Sequence, residues 1–282
     1  MKYSTYRIAG GEPTWGIADD DRLYDLGPSG LALAPTLTEA IRMGIFGETG
    51  ERWRDAPSVA IDDVEFLAVI PDPGKVICVG VNYRSHRDET GKADPAGPTV
   101  FTRFADSQMG HLSPAIFPQE SSQFDYEGEV ALVIGKDAHR VSKKDAWGVV
   151  AGYSAYNDFS VRDWQLISTQ WIPGKNFPAT GSFGPYLVPA ADIPDVDELL
   201  LETRVNGEVR QSAKLVDLIF DIPELIEFIT TFTKLSVGDV IVTGTPGGVG
   251  LFMQPTGLLS EGDEVEVEVT GLGVLRNTVA RG

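Results

Sequence analysis

The sequence predicts a mixed, β-rich α+β fold built from antiparallel or mixed sheets. Strand-like runs recur without the regular alternation with helices that a doubly wound parallel sheet requires. Asn206 followed by Gly207, a strong hairpin turn, stands between the strand-like runs 201–205 and 209–211. The 31 glycines and 18 prolines supply turns at short intervals.

In chain order, residues 1–70 are expected to form a small β-rich N-terminal domain, with strands near 3–9, 14–18 and 22–25 and a helix near 36–45. Pro71 and Pro73 resist both helix and central strand, so a boundary falls at 71–74 and the second domain runs over 71–282. A buried-type strand follows at 75–80, then one or two helical turns at 81–90. Residues 124–134 read as one long strand, and 142–150 as a helix with Ser142 and Asp145 placed as a near capping box. The best helix is 223–232: Leu225, Phe228, Ile229 and Phe232 recur at helical spacing, and Pro223 occupies the first turn, where its missing N–H costs little. Strands at 239–243 and 263–270 complete the pattern. An ordering loop is expected around 84–98, with Gly91, Pro95, Gly97 and Pro98.

Composition narrows the function. A formal charge of −18 repels a phosphate backbone and an anionic membrane surface, so neither nucleic acid nor membrane is expected as a partner. The excess is spread along the chain, with 12 acids against 6 bases in 1–70 and 29 against 17 beyond, and reads as solubility. Cys78 stands alone, which rules out an internal disulfide and a thiolate zinc cluster. No apolar stretch reaches the roughly 18 residues of a membrane span, and the first residues lack the apolar core of a secretory signal. A cytoplasmic location is expected.

The informative stretch is 124–134. Side chains alternate along a strand, so Glu127, Glu129, Ala131 and Val133 share one side and Tyr126, Gly128, Val130, Leu132 and Ile134 the other. Both faces become apolar. Two same-face glutamates then lie roughly 7 Å apart at the edge of a core, where unpaired burial costs several kcal/mol each and a divalent cation removes the cost. The bland alternative is a pair of solvated strand-end carboxylates with Gly128 marking a bulge. The run 263–270 is an internal control, because Glu264, Glu266 and Glu268 oppose Val265, Val267 and Val269 in the half-solvated pattern.

Asp158 follows a strand-like segment and adds a third carboxylate, although Asp158 or Ser160 would also serve as cap of a short helix holding Arg162 and Gln165. Three carboxylates without cysteine or histidine nearby favour Mg²⁺, Mn²⁺ or Ca²⁺ over Zn²⁺. His86 and Glu89, three apart on a helical turn, suit a carboxylate that orients an imidazole for proton transfer; an exposed surface pair is the bland reading. The glycine-rich loop 243–250 lacks the lysine of a P-loop, though its N–H groups and Thr245 suit a substrate carboxylate. Trp15, Trp53, Trp147, Trp164 and Trp171 read as packing residues rather than a sugar platform.

Six short segments, in order, carry a family resemblance: Val-Asn-Tyr-Arg-Ser-His at 81–86, Asp-Tyr-Glu-Gly-Glu-Val at 125–130, Gly-Tyr-Ser-Ala-Tyr-Asn-Asp at 152–158, Gly-Lys-Asn-Phe at 174–177, Val-Asn-Gly-Glu at 205–208 and Gly-Asp-Val-Ile-Val-Thr-Gly-Thr-Pro at 238–246. Through them the chain, over nearly all of 75–282, resembles the fumarylacetoacetate hydrolase family. The resemblance implies a mixed β-sandwich roll, paired as a homodimer, with a divalent metal held by Glu127, Glu129 and Asp158. It also implies that His86 and Glu89 activate water, that Lys175 stabilises developing negative charge, and that Arg162, Gln165 and Thr245 hold substrate oxygens.

The activity expected from these features is metal-dependent hydrolysis of a carbon–carbon bond in a small anionic 1,3-dicarbonyl acid such as an acylpyruvate. An isomerase or decarboxylase of a 2-oxo diacid on the same metal site is the enzyme alternative. A Ca²⁺-dependent β-sandwich binding module is the non-enzyme alternative, and it has no use for a base at His86. Glu127 and Glu129 as a glycosidase pair fit poorly, since acid and nucleophile flank a bond across a cleft rather than sit two apart on a strand.

Overall fold

A computed structural model describes residues 1–91, 93 and 96–282. Among these, the strands form a twelve-stranded mixed sheet, a five-stranded sheet and a two-stranded ribbon. The large sheet runs from Ser58–Ala60 through Arg22–Asp25, Thr14–Asp19, Lys2–Ile8, Gly181–Pro189, Val150–Asp158, Gly128–Ile134, Val240–Val242 and Val76–Gly80 to Thr99–Arg103. Neighbours on this path are antiparallel except Val240–Val242 against Val76–Gly80. The second sheet is ordered Glu208–Lys214, Leu200–Val205, Glu264–Val269, Gly273–Arg281 and Ala115–Phe117.

The strand Gly128–Ile134 is buried on both faces. Val130, Leu132 and Ile134 pack with Leu201, Val267 and Leu275 of the second sheet and with Leu225, Ile226 and Ile229. Ala131 and Val133 pack on the other side with Tyr3, Trp15, Leu187 and Val240. The first residues therefore share a core with the centre of the molecule, and Lys2–Ile8 pairs with Gly181–Pro189 at Tyr3 and Leu187.

Three local expectations change. The long strand splits: Phe124–Asp125 pairs with Ser160–Val161, and the main strand begins at Gly128. The Asp125 carboxylate holds the break by accepting the N–H groups of Tyr126, Gly250 and Leu251. Lys143–Val149 is a 3₁₀ helix without a side-chain cap at its N-terminus, because the Ser142 hydroxyl donates to the Asp145 carboxylate instead. In Ile222–Phe232, capped by Asp221, the buried stripe contains Leu225, Ile226 and Ile229, while Phe228 and Phe232 face outward and pack edge-on against each other at 5.7 Å.

The control strand Glu264–Val269 behaves as its alternation requires. Val265, Val267 and Val269 are buried, and Glu266 meets Arg204 and Arg276 at 3.2 and 2.7 Å near the surface. Among the described residues no helix is long and apolar enough to cross a membrane. Arg84–Thr90 is helical and ends on Gly91, whose φ of +65° suits a glycine. Pro95, expected in the ordering loop, lies outside the described residues.

Candidate active site

Strand register brings the acids together. Gly128 pairs with Asn157 and Glu129 with Tyr156, which sets Glu127 beside Asp158, whose N–H donates to the Glu127 carbonyl at 2.9 Å. Carboxylate oxygens of Glu127, Glu129 and Asp158 all lie within 4.8 Å of one another. The three residues are 6, 1 and 0 % exposed, which excludes solvated strand-end acids. Gly128 marks no bulge. A Cβ there would stand 1.9 Å from Thr203 Oγ1, so this glycine lets the second sheet close against the first.

Buried cations answer most of this charge. Lys175 Nζ donates to Glu127 Oε2 at 2.8 Å, Asp158 Oδ2 at 2.7 Å and Ser160 Oγ at 2.7 Å. Arg162 donates to Asp125 at 2.8 Å, Glu127 at 2.6 Å and Gln165 at 2.9 Å. Arg103 pairs with Asp158 and donates to Thr180 at 2.7 Å. With Asp158 and Ser160 so engaged, neither caps the helix Arg162–Gln165, which starts after Val161 without a side-chain cap.

Among the described residues four buried carboxylates thus face three buried cations, and none of these cations forms an ion pair with Glu129. It accepts the Gly244 N–H at 2.5 Å. Burial raises its carboxyl well above the usual range, with Asp158 and Glu127 pushing the same way. Burial would also raise Glu127, but Lys175 and Arg162 outweigh it and hold that carboxyl down at about 2. The donor set fits a hard divalent ion: the oxygens converge, and one acid lacks a counter-charge. With all four acids ionised the cluster carries one net negative charge, and a divalent ion there would make it one net positive.

His86 Nδ1 lies 2.6 Å from Glu89 Oε1, and the other Glu89 oxygen accepts the Gly248 N–H at 2.8 Å. The imidazole is 6 % exposed, so this is no surface pair. A cavity of about 220 Å³ opens on His86, Glu127, Arg162, Gln165, Lys175 and Thr245. Val81 enters this wall at φ +58°, a strained conformation for a β-branched residue. Trp171 also lines it, so close to Gly80 that a Cβ there would stand 2.2 Å from the indole.

Of the sequence-predicted residues, His86, Glu127, Arg162, Gln165, Lys175 and Thr245 line the cavity, while Glu89, Glu129 and Asp158 contact that set without lining it. The Thr245 hydroxyl is engaged with the Gly128 carbonyl at 2.9 Å and with Gln211 Nε2 at 2.8 Å. Arg103, Asp125 and Gln211 were missed. Only Arg103 had a usable signal, since it shares a strand face with Phe101, two residues away. Asp125 reads as one more acid in an acidic chain, and Gln211 as a polar hairpin residue.

A family model for the fumarylacetoacetate (FAA) hydrolase C-terminal region matches residues 75–280. The chain belongs to the fumarylacetoacetate hydrolase family. This family member is 43 % identical over 224 residues to oxaloacetate tautomerase YisK of Bacillus subtilis, across 78 % of this chain and 74 % of that protein. Its fold matches a fumarylacetoacetate hydrolase from Exiguobacterium antarcticum with a TM-score of 0.88 and 34 % identity, over the full length of both. It also matches maleylpyruvate hydrolase from Sphingobium sp. SYK-6, in complex with manganese(II) and pyruvate, with a TM-score of 0.83 and 25 % identity over both full lengths. The family is one of enzymes, and its relatives include both tautomerases and hydrolases.

Proposed function

We propose that this chain catalyses keto–enol tautomerisation of a small anionic 2-oxo diacid, with Mg²⁺ or Mn²⁺ held by Glu127, Glu129 and Asp158. The observation that carries the reading is that His86, held by Glu89 at Nδ1, opens on the same small cavity as Glu127 and Lys175. Enolisation needs a base beside the acidic carbon and positive charge beside the oxygen. Hydrolysis needs, in addition, a placed water. The tautomerase relative supports the first reading, and the likeness to maleylpyruvate hydrolase favours the second, carbon–carbon cleavage at the same residues.

A bound divalent cation would polarise the substrate carbonyl and acidify the carbon beside it. In this reading Glu89 accepts the Nδ1 proton of His86, which leaves Nε2 to take a proton from that carbon. The C–H electron pair becomes the new carbon–carbon double bond. The positive charge of Lys175 steadies the charge growing on oxygen, and His86 Nε2 gives the proton it took from carbon to that oxygen, which completes the enol and restores the base. Gln165 and Arg162 hold the substrate carboxylate, since the single Thr245 hydroxyl proton is already given to the Gly128 carbonyl; Arg162 Nη2, buried and without a partner among the described residues, is suited to this task.

The test follows the absorbance of enol-oxaloacetate with Mn²⁺, beside cleavage of an acylpyruvate under the same conditions. Wild-type protein is expected to speed enol decay. His86→Ala should lower kcat by about 10²- to 10⁴-fold while calorimetry shows unchanged Mn²⁺ binding. Cleavage without any effect on enol–keto exchange would overturn the reading in favour of hydrolysis.

A further inference from the structure

Trp147 departs from the packing role read from the sequence. It is 44 % exposed and walls an open pocket of about 390 Å³, shared with Tyr153, Ala190, Ile193, Asp195 and Asp197. None of these residues lines the active-site cavity. Tyr153 also lines the pocket; the residue is only 3 % exposed, and its solvent-reachable hydroxyl makes no hydrogen bond among the described residues.

The acids of this pocket also lack counter-charge. Asp195 and Asp197 are exposed; Asp195 accepts the Asp197 N–H at 3.1 Å, and neither forms an ion pair among the described residues. Glu198 and Asp221 nearby are answered by Lys214 at 2.6 Å and Lys143 at 2.8 Å. Partial burial, then Asp195, Asp221 and Glu198, push the Asp197 carboxyl upward, so the pocket is short of positive charge.

We infer that this pocket binds a primary alkylammonium group, its charge over the Trp147 ring and between Asp195 and Asp197, its stem against Ala190 and Ile193. The exposed indole supplies a cation–π face. The Tyr153 oxygen supplies an acceptor for an ammonium N–H that nothing else in the fold occupies. Such a group comes either from a free amine or from a lysine side chain, and both share this chemistry.

Titration of the intact protein with n-pentylammonium, Nα-acetyl-lysine amide and the neutral control 1-pentanol separates the cases. The Trp147 indole N–H resonance, assigned by its loss in Trp147→Phe, is the readout. Both cations should shift it saturably and 1-pentanol should not. Asp197→Asn and Trp147→Ala should each weaken binding about tenfold, with the melting temperature and enol-oxaloacetate turnover unchanged. Tighter binding of the lysine compound assigns the pocket to a protein lysine, and tighter binding of pentylammonium to a free amine. Equal shifts from 1-pentanol, or undiminished binding in both variants, would overturn the assignment.

Discussion

Glu129 and Asp158 stand on neighbouring antiparallel strands with carboxylate oxygens within 4.8 Å, yet of the two only Asp158 forms ion pairs among the described residues. Arg103 and Lys175 meet Asp158, while Glu129 has the Gly244 N–H. The cluster is complete only when a proton or a cation supplies the missing charge at Glu129.

Replacing Glu129 with Gln removes the uncompensated acid and one ion ligand together. Without divalent ions, Glu129→Gln should melt at or above the wild-type temperature. Added Mn²⁺ should stabilise wild type, by about 2.7 kcal/mol at a hundredfold excess over Kd, and leave the variant unmoved. Thermal melts in EDTA and in Mn²⁺ check this; a variant that still responds to Mn²⁺ takes Glu129 out of the ion site.

Gly128→Ala should destabilise by about 1–3 kcal/mol, the range for overpacking a tight core, because the new methyl meets Thr203 Oγ1. Thr203 is fully buried, and its hydroxyl has no partner among the described residues. Thr203→Ala should therefore recover part of the loss. A double-mutant cycle in denaturant measures the coupling. Additive effects would mean that the two sheets do not press on each other here.

His111 should make stability fall in mild acid. Burial, then Arg276, lowers its pKa from 6.5 to about 4, and Nδ1 accepts the Arg276 N–H at 3.0 Å. The unfolded chain thus binds the extra proton first. This contribution is complete above about pH 6.5 and drains as pH falls toward 4, by at most about 3 kcal/mol. His111→Gln should flatten the wild-type slope over that window in pH-dependent melts, and parallel slopes would refute it.

Much of the site was legible because it depends on alternation. Glu127 and Glu129 share a face with Ala131 and Val133 by strand geometry alone, and the valine partners of Glu264, Glu266 and Glu268 showed what a solvated strand looks like instead. His86 and Glu89 were legible because three residues make nearly a helical turn. The break at 126–127 was not legible, since a carboxylate waiting for the Gly250 and Leu251 N–H groups leaves no local pattern. Nor was the outward turn of Phe228 and Phe232, which follows from where the sheets leave room.

The sequence by itself determined the residue types, the face each acid takes and the family to which the chain belongs, because those follow from backbone periods of two and 3.6 residues and from short ordered motifs. Tertiary structure alone decided which charges are answered. Arg103 reaches Asp158 across 55 residues, Lys175 reaches Glu127 across 48, and Gly244 reaches Glu129 across 115. Register and crossovers set those meetings, and the long-range pairing leaves Glu129 as the acid without a counter-charge.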